Sequence, residues 1–250
     1  MKRTLIAAGI AAMLSANANA DVVGVYIGGQ VWDNEVEGVF GESGFQTDFN
    51  LEDEQQGSFF IAVEHPLPLI PNMRISKTTL DTQGMTTLTS EFEFGGETFT
   101  QDTNVDAVFD VSYMDYTLYY ELFDNDLLSF DFGITARDLD GDINVTASGD
   151  TPLTGKQSIS GFIPMLYVAS SVGLPFTGLS VYAEGNFLSI DDHTLFDYQA
   201  GLSYELIDNL AVDLNLTLGY RAMELELDDL DDIYSDLKFS GIYAGAVMHF

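Results

Sequence analysis

Beyond its first twenty residues this chain carries three arginines, Arg74, Arg137 and Arg221, and they are its strongest chemical signal. A guanidinium is planar, permanently charged and able to hold a carboxylate through two parallel hydrogen bonds. Alternation with period two puts Arg137 and Arg221 on the polar face of their segments, and Arg74 joins them if Met73 and Ile75 take the apolar face. Asp131, Glu184, Asp197 and Asp213 are their candidate partners. These seven side chains predict an electrostatic network on an enclosed face. It would act either as an interior packed with salt bridges or as a charged constriction that selects small solutes.

Hydrolytic and metal chemistry find less support. Of the three histidines, His65 and His249 fall at strand ends, and only His193 sits beside acids, in Ser189-Ile190-Asp191-Asp192-His193. Asp191 and His193 could activate water, and Ser189 stands close enough in sequence for a serine–histidine pair, but its neighbours form no recognisable signature. The acidic runs at 138–142 and 228–232 offer hard oxygen ligands for calcium or magnesium, yet neither completes the twelve-residue loop with its distal glutamate. The expectation is no catalytic residue, no cofactor and no dedicated metal site, with loose divalent binding at the acidic loops.

Composition explains where such residues could be held. Lys2 and Arg3, the apolar run LIAAGIAAML at 5–14 and the small-residue site Ala18-Asn19-Ala20 come in secretory order, so residues 1–20 read as a cleaved signal peptide and 21–250 as one domain. Of 8 Lys and Arg, two lie in that leader, leaving six against 40 Asp and Glu, which excludes nucleic acid as a partner. Hydrophobic content of 46 % argues against disorder, and the absence of cysteine removes disulfides and thiolate metal sites. No later apolar run reaches the roughly 18 residues of a membrane helix. A chain of this kind can enter a bilayer only as a closed barrel.

The positioning elements are strands. In 128–137, Leu128, Phe130, Phe132, Ile134 and Ala136 alternate with Ser129, Asp131, Gly133, Thr135 and Arg137; segments 196–206 and 210–221 repeat the pattern. Each is near the roughly 9 to 11 residues of a tilted membrane strand. Short links at 66–72, 123–126, 173–178 and 207–209 separate longer polar stretches at 33–56, 82–101, 138–155 and 227–235, with a shorter one at 189–193. Short periplasmic turns and long extracellular loops are the barrel pattern. Counting between links gives strands at 22–32, 57–65, 73–82, 112–122, 127–138, 158–172, 179–188, 194–206, 210–222 and 237–250. The fold class is therefore all-β: a transmembrane up-and-down antiparallel β-barrel of ten strands, with eight or twelve as alternative counts. The fourth strand has a parity switch near Met114, explained by a bulge there or by an upper half that projects beyond the membrane. The polar stretches at 88–99 and 142–147 alternate too, which predicts hairpins rising above the membrane.

The last strand, GIYAGAVMHF at 241–250, puts Ile242, Ala244, Ala246, Met248 and Phe250 on one apolar face. With DYTLYYELFDNDLLSFDFGITAR at 115–137 and HPLPLIPN at 65–72, it resembles small Gram-negative outer-membrane β-barrel proteins of a little-characterised proteobacterial family. That resemblance implies location in the outer membrane and an assembly signal at those five residues. It also implies the barrel-assembly machinery and periplasmic chaperones as partners during biogenesis, and membrane lipids and lipopolysaccharide afterwards. It carries no catalytic motif. Asp191-x-His193 is similar to half of the centre of the omptin proteases, but no unambiguous Asp-x-Asp on a facing strand supplies the carboxylate pair. The expected role is a non-enzymatic one in envelope structure or surface interaction, with a narrow pore for small solutes and a rim hydrolase as alternatives.

Overall fold

A strand that alternates over ten or more residues presents two unlike faces, and a closed ring of them gives each face its own environment. The computed structural model describes residues 23–42, 46–67, 69–125, 127–149, 152–190, 193–209, 212–230 and 233–250, with backbone alone at 190, 227–230 and 233. In chain order the strands are β1 (Gly24–Glu42), β2 (Glu54–Glu64), β3 (Asn72–Thr78), β4 (Asp81–Thr87), β5 (Phe92–Phe94), β6 (Glu97–Phe99), β7 (Asn104–Asp110), β8 (Tyr113–Asp124), β9 (Leu128–Ala147), β10 (Thr154–Leu174), β11 (Leu179–Ile190), β12 (His193–Ile207), β13 (Asp213–Leu230) and β14 (Ile233–His249). Ten of them, β1 to β3 and β8 to β14, pair antiparallel each with the next, and β14 returns to β1 from Tyr26↔His249 to Glu42↔Ile233. Backbone hydrogen bonds of 3.2 and 3.0 Å between Val25 and Phe250 finish that seam. The chain is a closed ten-stranded, up-and-down β-barrel of the outer-membrane type. The signal peptide expected at 1–20 lies outside the described residues.

Strand bounds depart from the sequence expectation at one end only. At the end carrying the short links, here the turn end, they agree within three residues. At the opposite, loop end β1 runs to Glu42, β9 to Ala147 and β13 to Leu230, well past the expected 32, 138 and 222. The outward face turns polar there, and loss of an apolar face reads in sequence as the end of a strand. β3 is shorter than expected because the chain leaves the ring at Thr79, whose N–H still bonds Gly57 O at 2.9 Å, and starts β4.

The parity switch of the fourth strand has a simple cause. β7 and β8 pair with β9 in one unbroken register, from Val105↔Ala147 through Tyr113↔Leu139 to Glu121↔Asp131. No bulge occurs near Met114; the register shifts only between Glu121 and Phe123, at the turn end. Odd residues point inward throughout, and their chemistry changes with height. Val105, Ala107, Phe109, Val111 and Tyr113 are buried apolar and aromatic groups, whereas Asp115 and Thr117 below them are buried polar ones.

Other strands repeat the inversion. Inward on β9, Thr135 and Arg137 give way to Leu139, Ile143 and Val145; on β14, Tyr243 gives way to Phe239 and Leu237. Outward, exposed Ile134 on β9 is followed by Asp138, Asp140 and Asp142, and exposed Val31 on β1 by Asp33, Glu35 and Glu37. The barrel thus has a lower storey with an apolar outside and a polar bore, and an upper storey with an acidic outside and an apolar core. The lower outside is a continuous band that includes Phe59, Leu118, Phe132, Leu202, Leu218 and Ile242, all exposed. Lipid is the medium that suits it. Of the residues on the last-strand apolar face, Ile242, Met248 and Phe250 are exposed on the same side.

The upper core is sealed by the β5–β6 hairpin. Its Phe92, Phe94 and Phe99 are fully buried, and they pack, mostly edge to face or tilted, with Phe40, Phe49 and Phe109 in one aromatic cluster. The hairpin turns on Gly95 (φ 61°) and Gly96 (φ 75°), a conformation that glycine adopts without strain. A Cβ at Gly95 would meet Lys156 N at 2.2 Å, so only glycine lets the hairpin lie against β10.

Candidate functional site: a barred lumen

Directly beneath the aromatic core, buried charges cross the bore. Arg137 on β9 donates from Nε and Nη2 to both carboxylate oxygens of Asp115 on β8, each at 2.8 Å, and from Nη2 to Asp197 Oδ2 on β12 at 2.7 Å. Arg221 on β13 donates to Asp197 Oδ1 at 2.9 Å, to Asp197 Oδ2 at 2.8 Å and to the Tyr113 hydroxyl at 2.8 Å. Tyr113 in turn donates to Asp197 Oδ2 at 2.7 Å. In ring order β8 and β13 stand opposite each other, so these side chains form a bar across the barrel.

Two arginines and two aspartates make the bar neutral, which is the condition for keeping charge out of water. Rings complete the cage: Arg137 Cζ lies 3.7 Å from the Tyr113 ring centroid and Arg221 Cζ 4.9 Å from that of Trp32. Arg137 is wholly buried, and its Nη1 has no hydrogen-bond partner among the described residues. Gly219 and Gly201 make room on the wall. A Cβ on either would come within 2.7 Å of the Tyr243 hydroxyl, which reaches across to bond Tyr182.

A second bar lies nearer the turn end. Arg74 on β3 forks onto Glu184 on β11, Nη1 to Oε2 at 2.7 Å and Nη2 to Oε1 at 3.2 Å, with its Cζ 3.9 Å from the Phe60 ring centroid. Gln199 Nε2 donates to Glu184 at 2.7 Å, and Gln30 Nε2 donates to Gln199 at 2.9 Å. These groups line a polar cavity of about 390 Å³ walled also by Tyr26 and Tyr167 and reaching down to Ser171, Ser203 and Asn215 near the turns. At the turn end itself Tyr119 donates to Glu64 at 2.7 Å and Asn72 to Glu121 at 3.0 Å.

Of the seven network residues expected from sequence, the structure brings together Arg137, Asp197 and Arg221 in one group and Arg74 with Glu184 in another. Asp131 and Asp213 stand apart from both. Asp131 is paired across strands with Glu121, and Asp213 faces His249 at 3.3 Å beside the turns. The arginines skip them because, at about 3.4 Å per residue along a strand, Asp131 lies roughly 20 Å below Arg137 on β9 and Asp213 roughly 27 Å below Arg221 on β13. Asp115 and Tyr113 were missed. The short 123–126 link made β8 and β9 neighbours, but a turn closed on it would set Asp115 opposite Ile134; closure at Asp124↔Ser129 and the register shift between Glu121 and Phe123 are what set Asp115 opposite Arg137.

The other candidates are dispersed. Asp191 lies outside the described residues, and His193 opens β12 at the loop end, paired with Ile190. Asp138, Asp140 and Asp142 alternate on the outward face of β9, and among the described residues no group of His, Asp and Glu converges as a metal cage. Run 228–232 has no described side chains in it.

No family model matches this chain, and no curated protein does. Some solved structures are similar to it at low identity. The transport unit of the autotransporter AIDA-I from Escherichia coli is 8% identical over 94% of this chain and 91% of that one, with a TM-score of 0.41. The translocator domain of autotransporter NalP from Neisseria meningitidis is 10% identical over 100% and 94%, at 0.37. The Pseudomonas putida toluene transporter TodX is 13% identical over 92% and 89%, at 0.31.

Proposed function

We propose that this chain is an integral outer-membrane barrel, its turns on the periplasmic side, whose role is envelope structure and surface interaction through the upper storey. The observation that carries this reading is the double closure of the bore. An aromatic core fills the upper storey, and the Arg137–Asp115–Asp197–Arg221 bar spans the level below it. A solute would have to displace both. Membrane lipids and lipopolysaccharide surround the band in this reading, and the assembly machinery and periplasmic chaperones handle the chain before insertion. Divalent cations associate loosely at the outward acids of β9. The purified protein in planar bilayers is expected to give no conductance steps; stepwise current from the unaltered chain would sink the reading.

One observation favours a second reading, passage of small solutes: the polar cavity of about 390 Å³ in the lower storey. In that case the β5–β6 hairpin is the gate, and removal of residues 92–99 raises current through a barrel that already conducts. No catalysis is assigned. Replacement of His193 by alanine is expected to leave peptide cleavage at background.

A further inference from the structure

The wall of the upper storey is interrupted. β10 pairs with β9 along nearly its whole length, Thr154↔Thr146 to Val172↔Leu128, but with β11 only from Leu166↔Phe187 to Leu174↔Leu179. β11 continues to Ile190, and in the same register its last residues would meet Met165, Pro164 and Ile163. No pairing forms there, and Pro164 supplies the reason. Gly173 N bonds Leu127 O at 2.9 Å and Ala147 N bonds Leu153 O at 2.8 Å, so odd residues of this hairpin turn their backbone groups toward β9. Even residues, Pro164 among them, turn theirs the other way. A proline at that position deletes a donor on the β11 side and leaves the β9 side intact.

Above Pro164, the backbone groups of Phe162, Ser160 and Ser158 face an edge with no strand partner among the described residues, up to Lys156, where Gly95 of the β5–β6 hairpin lies against β10. The five residues 158–162 of open edge run for roughly 17 Å. Their outward neighbours on β9 are acids: Phe162 lies beside Asp138, Ser160 beside Asp140 and Ser158 beside Asp142. The two serines are small, so a long side chain on an added strand can cross above them to those carboxylates. Phe162, 68% exposed, offers an apolar contact at the lower end.

We propose that this edge accepts an extended cationic peptide segment of a partner as an added β-strand. Main-chain hydrogen bonds to the even residues of 158–162 hold it, and alternate Lys or Arg side chains meet Asp140 and Asp142. A second copy of this chain is the wrong occupant on charge, since each copy carries a net −32. The proposal rests on the surface-interaction reading and names its partner class.

The test uses the full chain in lipid nanodiscs with a fluorescent peptide of alternating lysine and threonine as the probe. Saturable binding is expected, with none for the matching glutamate–threonine peptide. Ser160→Pro removes an edge donor in the manner of Pro164, so it is expected to weaken binding at least about ten-fold while leaving the folded band on unheated gels unchanged. Hydrogen exchange over 158–163 is expected to slow when the peptide is added. Equal binding by Ser160→Pro, or unchanged exchange in that segment, overturns the proposal. So does a disulfide-linked dimer of Ser160→Cys in this otherwise cysteine-free chain, which would assign the edge to a second copy. Conductance is read separately: current steps with intact peptide binding remove the closed-bore reading and leave the edge standing.

Discussion

The two storeys of this barrel are built from the same strands in the same register, yet they solve opposite problems. Below, Ile134 and Leu218 face outward and Arg137 and Thr117 inward; above, Asp140 and Glu35 face outward and Phe109 and Phe239 inward. A barrel in lipid must put apolar groups outside and satisfy polar ones within, whereas a wall in water does the reverse. The difference teaches that the side-chain period marks the faces of a strand, while the medium decides which face is apolar. The Arg–Asp bar lies at the level where the two regimes meet.

Substitutions aimed at that contrast separate the storeys by size of effect. The largest is expected from Asp197→Ala, which strips Arg137 and Arg221 of a shared buried partner and costs about 3–5 kcal/mol. Urea unfolding from lipid, followed by tryptophan fluorescence of Trp32, measures it; a loss under about 1 kcal/mol would mean that water already reaches the bar. Phe109→Ala opens a cavity in the upper core and is expected to cost about 3–5 kcal/mol by the same assay, at the lower end if the β5–β6 hairpin relaxes into the space. Thr117→Val, also inward but in the lower storey, is a control that exchanges one hydroxyl and not a packed ring.

Outward positions sharpen the comparison further. Ile134→Arg places a charge on the lipid face and is expected to cost about 2–4 kcal/mol, whereas Asp140→Arg, on the same face of the same strand three pairs higher, stays within about 0.5 kcal/mol. Equal costs at the two positions would place both storeys in one medium and break the distinction. The smallest effect is expected from Asp142→Asn, whose hydrogen bond from Ser158 at 2.6 Å is exposed, and which changes surface charge with little change in stability.

Much of the fold was legible in the residues. Alternation marked 128–137, 196–206, 210–221 and the last strand, and the rhythm of short and long links put all turn-end bounds within three residues. The loop-end bounds were not legible, because β1, β9 and β13 continue through the point where their outward faces turn from apolar to acidic. The parity switch at Met114 was visible, but its two explanations differ only in register, which is a property of two strands and not of one. For the site, Arg137, Asp197 and Arg221 were marked by being rare charges on a polar face. Asp115 stayed hidden because its strand had no assigned lumen face until the pairing with β9 settled it.

By itself, then, the sequence determined the strand periodicity, the even count, the apolar outward face of the lower storey and the scarcity of cations that makes each arginine conspicuous. These follow from local backbone geometry and composition. Only the tertiary structure decided that β8 faces β13, so that Asp197 is shared by two arginines, and that 92–99 folds into the mouth. It also decided that β10 parts from β11 at Pro164. Each depends on closure of the ring, which brings together residues more than a hundred positions apart, such as Tyr113 and Arg221, whose mutual distance no local pattern encodes.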